Sequence, residues 1–122
     1  ERLIKEVNGN IARTPPLISS FNIEILQSLR GYSENLKLGY LTARKDWERS
    51  MLFETIAENN FQAVHPHHSL VSEEFISASK EDNIEVNVWT VNEQELVTRL
   101  IDLEVNSIIT DDVQMVKAFI KG

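Results

Sequence analysis

The chain has 122 residues, 42% hydrophobic and 25% charged, with four Gly, three Pro and no Cys. That length supports one domain with a hydrophobic core, and the composition excludes a disordered, collagenous or disulfide-stapled chain. A formal net charge of -7 with no basic patch argues against nucleic-acid binding.

Glu1–Val7 reads as a helix tail with Leu3, Ile4 and Val7 on one side, ended by Asn8-Gly9-Asn10. A start at Glu1 rather than Met fits a trimmed product. No uninterrupted apolar run reaches the roughly 18 residues a membrane span needs, and no basic-then-apolar start resembles a signal peptide. The absence of Cys leaves the compartment open. Thr14-Pro15-Pro16 then imposes an extended connection.

From there one pattern recurs five times. Short apolar runs at Leu17–Phe21, Leu36–Leu41, Phe61–His65, Ile84–Thr90 and Asn106–Thr110 predict strands. A helical pattern follows each: Ile23, Leu26 and Leu29; Trp47, Met51 and Ile56 after the basic loop at Arg44-Lys45; Phe75 and Ile76; Leu96, Val97, Leu100 and Ile101; Val113, Val116 and Ile120. Asn22, Ser72 and Asn92 are read as N-caps, the last with Glu95 in a capping-box arrangement. Strands that lead directly into helices describe parallel βα units, either an open doubly wound sheet or part of a barrel. Ile84, Val86 and Val88 alternate with Glu85, Asn87 and Trp89, giving one apolar face and one polar face that ends in an aromatic ring. An open sheet covered on both sides wants apolar faces on both. With no Gly-x-Gly-x-x-Gly loop either, the pattern favours part of a TIM-type (β/α) barrel with a partly polar lumen.

Ligands of parallel barrels bind at the C-terminal strand ends. Here those ends carry Ser19, Ser20, Phe21, Leu41, Thr42, His65, Trp89, Thr90, Asn92, Thr110 and Asp111. Ile18-Ser19-Ser20-Phe21-Asn22, Val88-Trp89-Thr90-Val91-Asn92 and Ile108-Ile109-Thr110-Asp111 resemble three strand-to-helix junctions of glycerophosphodiester phosphodiesterases. Leu38-Gly39-Tyr40-Leu41 and Val64-His65-Pro66 fall between them in the family's order, so the resemblance runs from about Leu17 onward. It implies that residues 1–122 are the C-terminal portion of such a barrel domain, with the N-terminal strands missing.

The implied parent enzyme hydrolyses glycerol-phosphate diesters to glycerol phosphate and an alcohol. It uses two His as acid and base and a divalent cation, Ca or Mg, held by Glu and Asp. The family's His-Arg-Gly, Glu-x-Asp, His-Asp and Glu-x-Lys motifs do not occur in these 122 residues. The resemblance therefore implies a fragment that holds no metal, has no catalytic residue and is inactive alone, with Trp89 and Phe21 as its substrate-binding residues. The other reading is a non-catalytic partial-barrel module for assembly. In either case open strand edges predict self-association or pairing with the missing part.

Departures from the family pattern are Asn83 and Glu104 where Gly is common, and Asp112-Val113 where Pro usually follows Thr-Asp. Glu104 puts the geometry of its turn in question. His65-Pro66-His67-His68 suits Zn, Ni or Cu by ligand type. Adjacent His67 and His68 are expected to diverge, and the expected outcome is an exposed loop. Glu85 and Asn87 are read as structural lumen groups, Asp111 and Asp112 as helix-start residues, and Arg44-Lys45 as a solvated loop.

Overall fold

The computed structural model describes residues 2–7, 10–11, 17–44 and 48–121. Thr14-Pro15-Pro16, Lys45, Trp47 and the Asn8-Gly9 pair lie outside them. Strands β1 (Arg2–Val7), β2 (Asn10–Ile11) and β3 (Leu17–Ser20) lead into helix α1 (Ile23–Tyr32). Then come β4 (Lys37–Thr42), α2 (Arg49–Glu58), β5 (Ala63–Pro66), α3 (Glu73–Glu81), β6 (Glu85–Val88), α4 (Gln94–Asp102), β7 (Ser107–Thr110) and α5 (Val113–Lys121).

The sheet order is β2-β1-β7-β6-β5-β4-β3, and β3 through β7 are parallel neighbours in chain order. These five βα units form a half-barrel, the incomplete TIM-type architecture. The helices cover one face of the sheet. Leu38, Tyr40, Val64, Val86, Val88 and Ile108 from the strands are buried with Leu26, Ile56, Val97, Leu100 and Val116 from the helices. Phe53 of α2 and Phe75 of α3 lock edge to face at 5.1 Å between ring centroids.

Two of the three expected caps, Asn22 and Ser72, set their helix starts. Asn22 accepts from the amides of Glu24 and Ile25, and Ser72 from that of Phe75. The third expected cap differs. Helix α4 starts on Glu93 with no side-chain cap bond, and Asn92 turns its amide elsewhere, as described below. At the other ends, α2, α3 and α4 stop alike. Asn60, Asn83 and Glu104 sit at φ 57°, 55° and 62°, and the next amide bonds back five residues, from Phe61 to Ile56, Ile84 to Ser79 and Val105 to Leu100. This is the Schellman stop. Glu104 thus adopts the left-handed backbone that Gly favours, and its carboxylate pairs with Lys80 at 3.1 Å on the exposed surface.

The first segment corrects the sequence reading. Arg2–Val7 is a strand, antiparallel to β7 with Ile4 opposite Ile108, and Val7 pairs with Asn10 of β2. The spacing of Leu3, Ile4 and Val7 fits a helix, but β-branched Ile4 and Val7 suit a strand equally. An Asn-Gly dipeptide between two paired residues is a hairpin signal as much as a helix stop. A consequence is that the edge of β7 is covered. Among the described residues, the open edge of the parallel strands is that of β3.

A left-handed non-Gly residue costs roughly 1–2 kcal/mol, while an exposed ion pair is worth under about 1 kcal/mol. Glu104→Gly is therefore expected to raise the unfolding free energy by about 0.5–1 kcal/mol, and Glu104→Val to lower it by at least about 1 kcal/mol. Urea denaturation of the two variants measures the order.

Candidate functional site at the half-barrel mouth

Side chains at alternate positions of β4, β5, β6 and β7 face the concave side of the sheet: Lys37 and Gly39, Ala63 and His65, Glu85 and Asn87, Ser107 and Ile109. The lower part is a polar network. Lys37 Nζ pairs with Glu85 Oε1 at 3.2 Å, and the Asn87 amide nitrogen donates to Glu85 Oε2 at 3.0 Å. The same nitrogen lies 3.1 Å from His65 Nε2. A carboxylate only accepts, so Glu85 fixes which end of the Asn87 amide faces it. That nitrogen then donates to His65 Nε2, which must accept, leaving the imidazole neutral with its proton on Nδ1. The expectation that Glu85 and Asn87 serve structural bonding matches this arrangement.

His65 is 2% exposed and Asn87 fully buried. Burial drives the His65 pKa down from 6.5 to about 4; the Glu85 charge opposes this and Lys37 adds to it. Gly39 is what makes room for the ring, since a Cβ there would lie 2.5 Å from His65 Nε2. Three buried atoms here, His65 Nδ1, Asn87 Oδ1 and Ser107 Oγ, have no hydrogen-bond partner among the described residues.

Above this layer stands an aromatic cluster. The Trp89 indole N–H donates to the His65 carbonyl at 2.6 Å. Phe21, at the end of β3, meets Trp89 edge to face with centroids 5.6 Å apart. His67 meets Trp89 from another side at 5.1 Å. The structure thus brings together Phe21 and Trp89, which the sequence places on strands three positions apart. Phe21 remains 59% exposed.

The histidine segment departs from expectation. His67 and His68 do not diverge: their rings lie 4.1 Å apart, tilted by 34°, and both are half-buried. A 3₁₀ turn at His68–Leu70, capped by the His67 ring accepting from the Ser69 amide, curls the pair back over the mouth. Among the described residues no three His, Asp or Glu side chains converge as metal ligands. The described residues therefore do not fit the divalent cation that the resemblance implies.

Asn92 is a clamp between two loops at the mouth. Its Oδ1 accepts from Thr110 Oγ1 at 3.1 Å and the Asp111 amide at 3.0 Å, and its Nδ2 donates to Asp111 Oδ2 at 3.1 Å. Asp112 does start α5, its carboxylate accepting from the Met115 amide. Arg44 is exposed. Among the described residues, grooves lie on the helical face. One of about 830 Å³ between α2 and α3 is lined by Glu54, Glu58, Glu73, Glu74, Glu81 and Asp82, among others. Like charges in such number make it a poor seat for a phosphodiester.

The glycerophosphoryl diester phosphodiesterase family model matches residues 3–115. The chain belongs to this family. A glycerophosphodiester phosphodiesterase of Caldanaerobacter subterraneus subsp. tengcongensis is 28% identical over 115 residues, covering 92% of this chain and 45% of that protein. The fold matches an Oleispira antarctica phosphodiesterase solved with its product sn-glycerol 3-phosphate, at TM-score 0.76 and 22% identity over 87% of this chain and 42% of that one. It also matches a glycerophosphodiester phosphodiesterase of Thermotoga maritima at TM-score 0.67 and 22% identity, covering 86% and 46%. The chain spans just under half the length of these family members. Among the described residues no helix is long and apolar enough to cross a membrane.

His65 links the site to pH. Its folded pKa of about 4 lies below the unfolded 6.5, so the unfolded chain binds the extra proton first. Stability is complete above pH 6.5 and is lost as pH falls towards 4, by about 3 kcal/mol in all. Urea midpoints measured across this range should fall accordingly in the native chain, with the slope reduced in His65→Gln.

Proposed function

We propose that this chain supplies the substrate-side wall of a glycerophosphodiester phosphodiesterase, forming the C-terminal portion of its barrel domain. The intact protein hydrolyses glycerol-phosphate diesters to glycerol phosphate and an alcohol. Phe21 and Trp89 bind the carbon skeleton of the glycerol or alcohol moiety. The observation that carries this reading is the edge-to-face contact of the two rings at 5.6 Å, at the strand ends where parallel barrels hold their ligands. Product bound to the Oleispira antarctica relative supports the substrate class.

The division of labour follows from chemistry. Hydrolysis needs an acid and a base, and in this family a divalent cation, Ca or Mg, that polarises the phosphate. The one buried imidazole at the mouth, His65, is held neutral with Nε2 already engaged by Asn87. Its role is structural, and no proton transfer is assigned to it. The acid–base pair and the cation ligands therefore come from outside this chain, which is inactive alone. What the chain's own residues do is orient. Trp89, fixed by its indole bond to the His65 carbonyl, presents an apolar surface, while Asn92 holds Asp111 of the loop after β7.

A second reading, a non-catalytic assembly module, has one observation in its favour. The open edge of β3 carries exposed Ile18, with Ile25 and Tyr32 exposed on the adjoining α1. Unpaired edges template further strands. Self-association, or pairing with the remainder of a barrel, is expected through this edge.

Glycerophosphocholine incubated with the 122-residue chain and Ca or Mg is expected to show no turnover; a metal-stimulated rate would overturn the assignment. In isothermal titration with sn-glycerol 3-phosphate, Trp89→Ala and Phe21→Ala should each weaken binding by about fivefold to tenfold, the equivalent of about 1 kcal/mol of ring contact.

A further inference from the structure

His65 lies under the mouth, and its main chain and side chain have different partners. Its imidazole is wedged between β4 and β6. On one side Gly39 offers only a hydrogen where a Cβ would lie 2.5 Å from Nε2. On the other, the Asn87 amide donates to that same Nε2, with Glu85 fixing the amide's orientation. The ring is therefore confined at Nε2 by both neighbouring strands. Its own carbonyl, one step along the same residue, accepts the Trp89 indole N–H at 2.6 Å. Neighbouring backbone tightens the link, since the Trp89 amide donates to the Pro66 carbonyl at 3.2 Å and the His68 amide to the Trp89 carbonyl at 2.9 Å.

We propose that His65 is the positioning residue of the mouth: its imidazole, wedged between Gly39 and Asn87, fixes the carbonyl that sets the angle of the Trp89 ring. The substrate consequence rests on the proposed role of Trp89 as a wall, while the positioning itself does not. Gly39 is the second half of the device. A methyl at position 39 must push the imidazole, and a wedged ring passes that push to the backbone of β5 and so to the indole.

The test separates the two layers. In a Trp47→Phe background, Trp89 carries the chain's one indole N–H, and its resonance reports the bond to the His65 carbonyl. Gly39→Ala is expected to shift that resonance and to speed its hydrogen exchange by about tenfold or more. His65→Ala should do likewise. In the double variant the methyl at 39 should add nothing further, because the ring it would push is gone. Should Gly39→Ala fail to fold, Asn87→Ala, which frees Nε2, is expected to give the same indole shift. An indole signal unmoved in folded Gly39→Ala or Asn87→Ala overturns the proposal, as does an equal effect of Gly39→Ala with and without His65. Titration with sn-glycerol 3-phosphate reads the second layer, where the Gly39→Ala chain should bind about tenfold more weakly with Trp89 intact. If the unaltered chain binds no glycerol phosphate while the indole moves as stated, the wall reading fails and the positioning stands.

Discussion

Parallel pairing from β3 to β7, with the sheet curved rather than flat, is the constraint on which the mouth depends. Adjacent strands lie about 4.8 Å apart, so β3 and β6, separated by two strands, would stand roughly 14 Å apart across a flat sheet. The Phe21 and Trp89 rings nevertheless meet at 5.6 Å. Curvature shortens the chord between the strand tips, and both side chains lean into the concave side. Register matters as much as curvature. A slip of one residue in any strand would turn its inward set to the helix side, carrying Trp89 or His65 out of the mouth.

Curvature also explains the polar lumen. A concave face leaves little room for bulk, so Gly39 and Ala63 line it beside His65 and Asn87. Polar groups so deeply buried are tolerated because most are bonded to one another. Glu85 anchors the network from both sides, through Lys37 and through Asn87. The three atoms left without partners among the described residues are where this layer retains unmet bonding capacity. The mouth above is different in kind, built from aromatic edges and faces with one ring open to solvent. Both layers belong to a chain of the glycerophosphoryl diester phosphodiesterase family that covers 45% of a related enzyme.

Much of this was legible in the sequence, because each βα unit announces itself locally. Apolar strands and Asn22 and Ser72 as caps are all short-range signals, and each appears in the structure. The alternation of Ile84 to Trp89 separated the helix side from the lumen correctly. What escaped was long-range. Asn92 has the spacing of a cap, yet a partner on β7 outcompetes the helix amides for its side chain. His67 and His68 stack because the 3₁₀ turn bends the chain, which adjacency alone does not reveal. The demand His65 makes on Gly39 joins neighbouring strands, and no local pattern encodes it. Arg2–Val7 was ambiguous for another reason: its apolar positions satisfy both periods, and only pairing with β7 decides between them.

Contact between the tips of β3 and β6 is the most direct measure of the curved, parallel arrangement. Nuclear Overhauser spectra of the chain in solution, with Phe21 and Trp89 selectively labelled, should show strong cross-peaks between the two rings. Folded chain with Trp89 contacts to His67 but none to Phe21 would mean the mouth does not close over a common pocket, and the wall assigned to these residues would be contradicted.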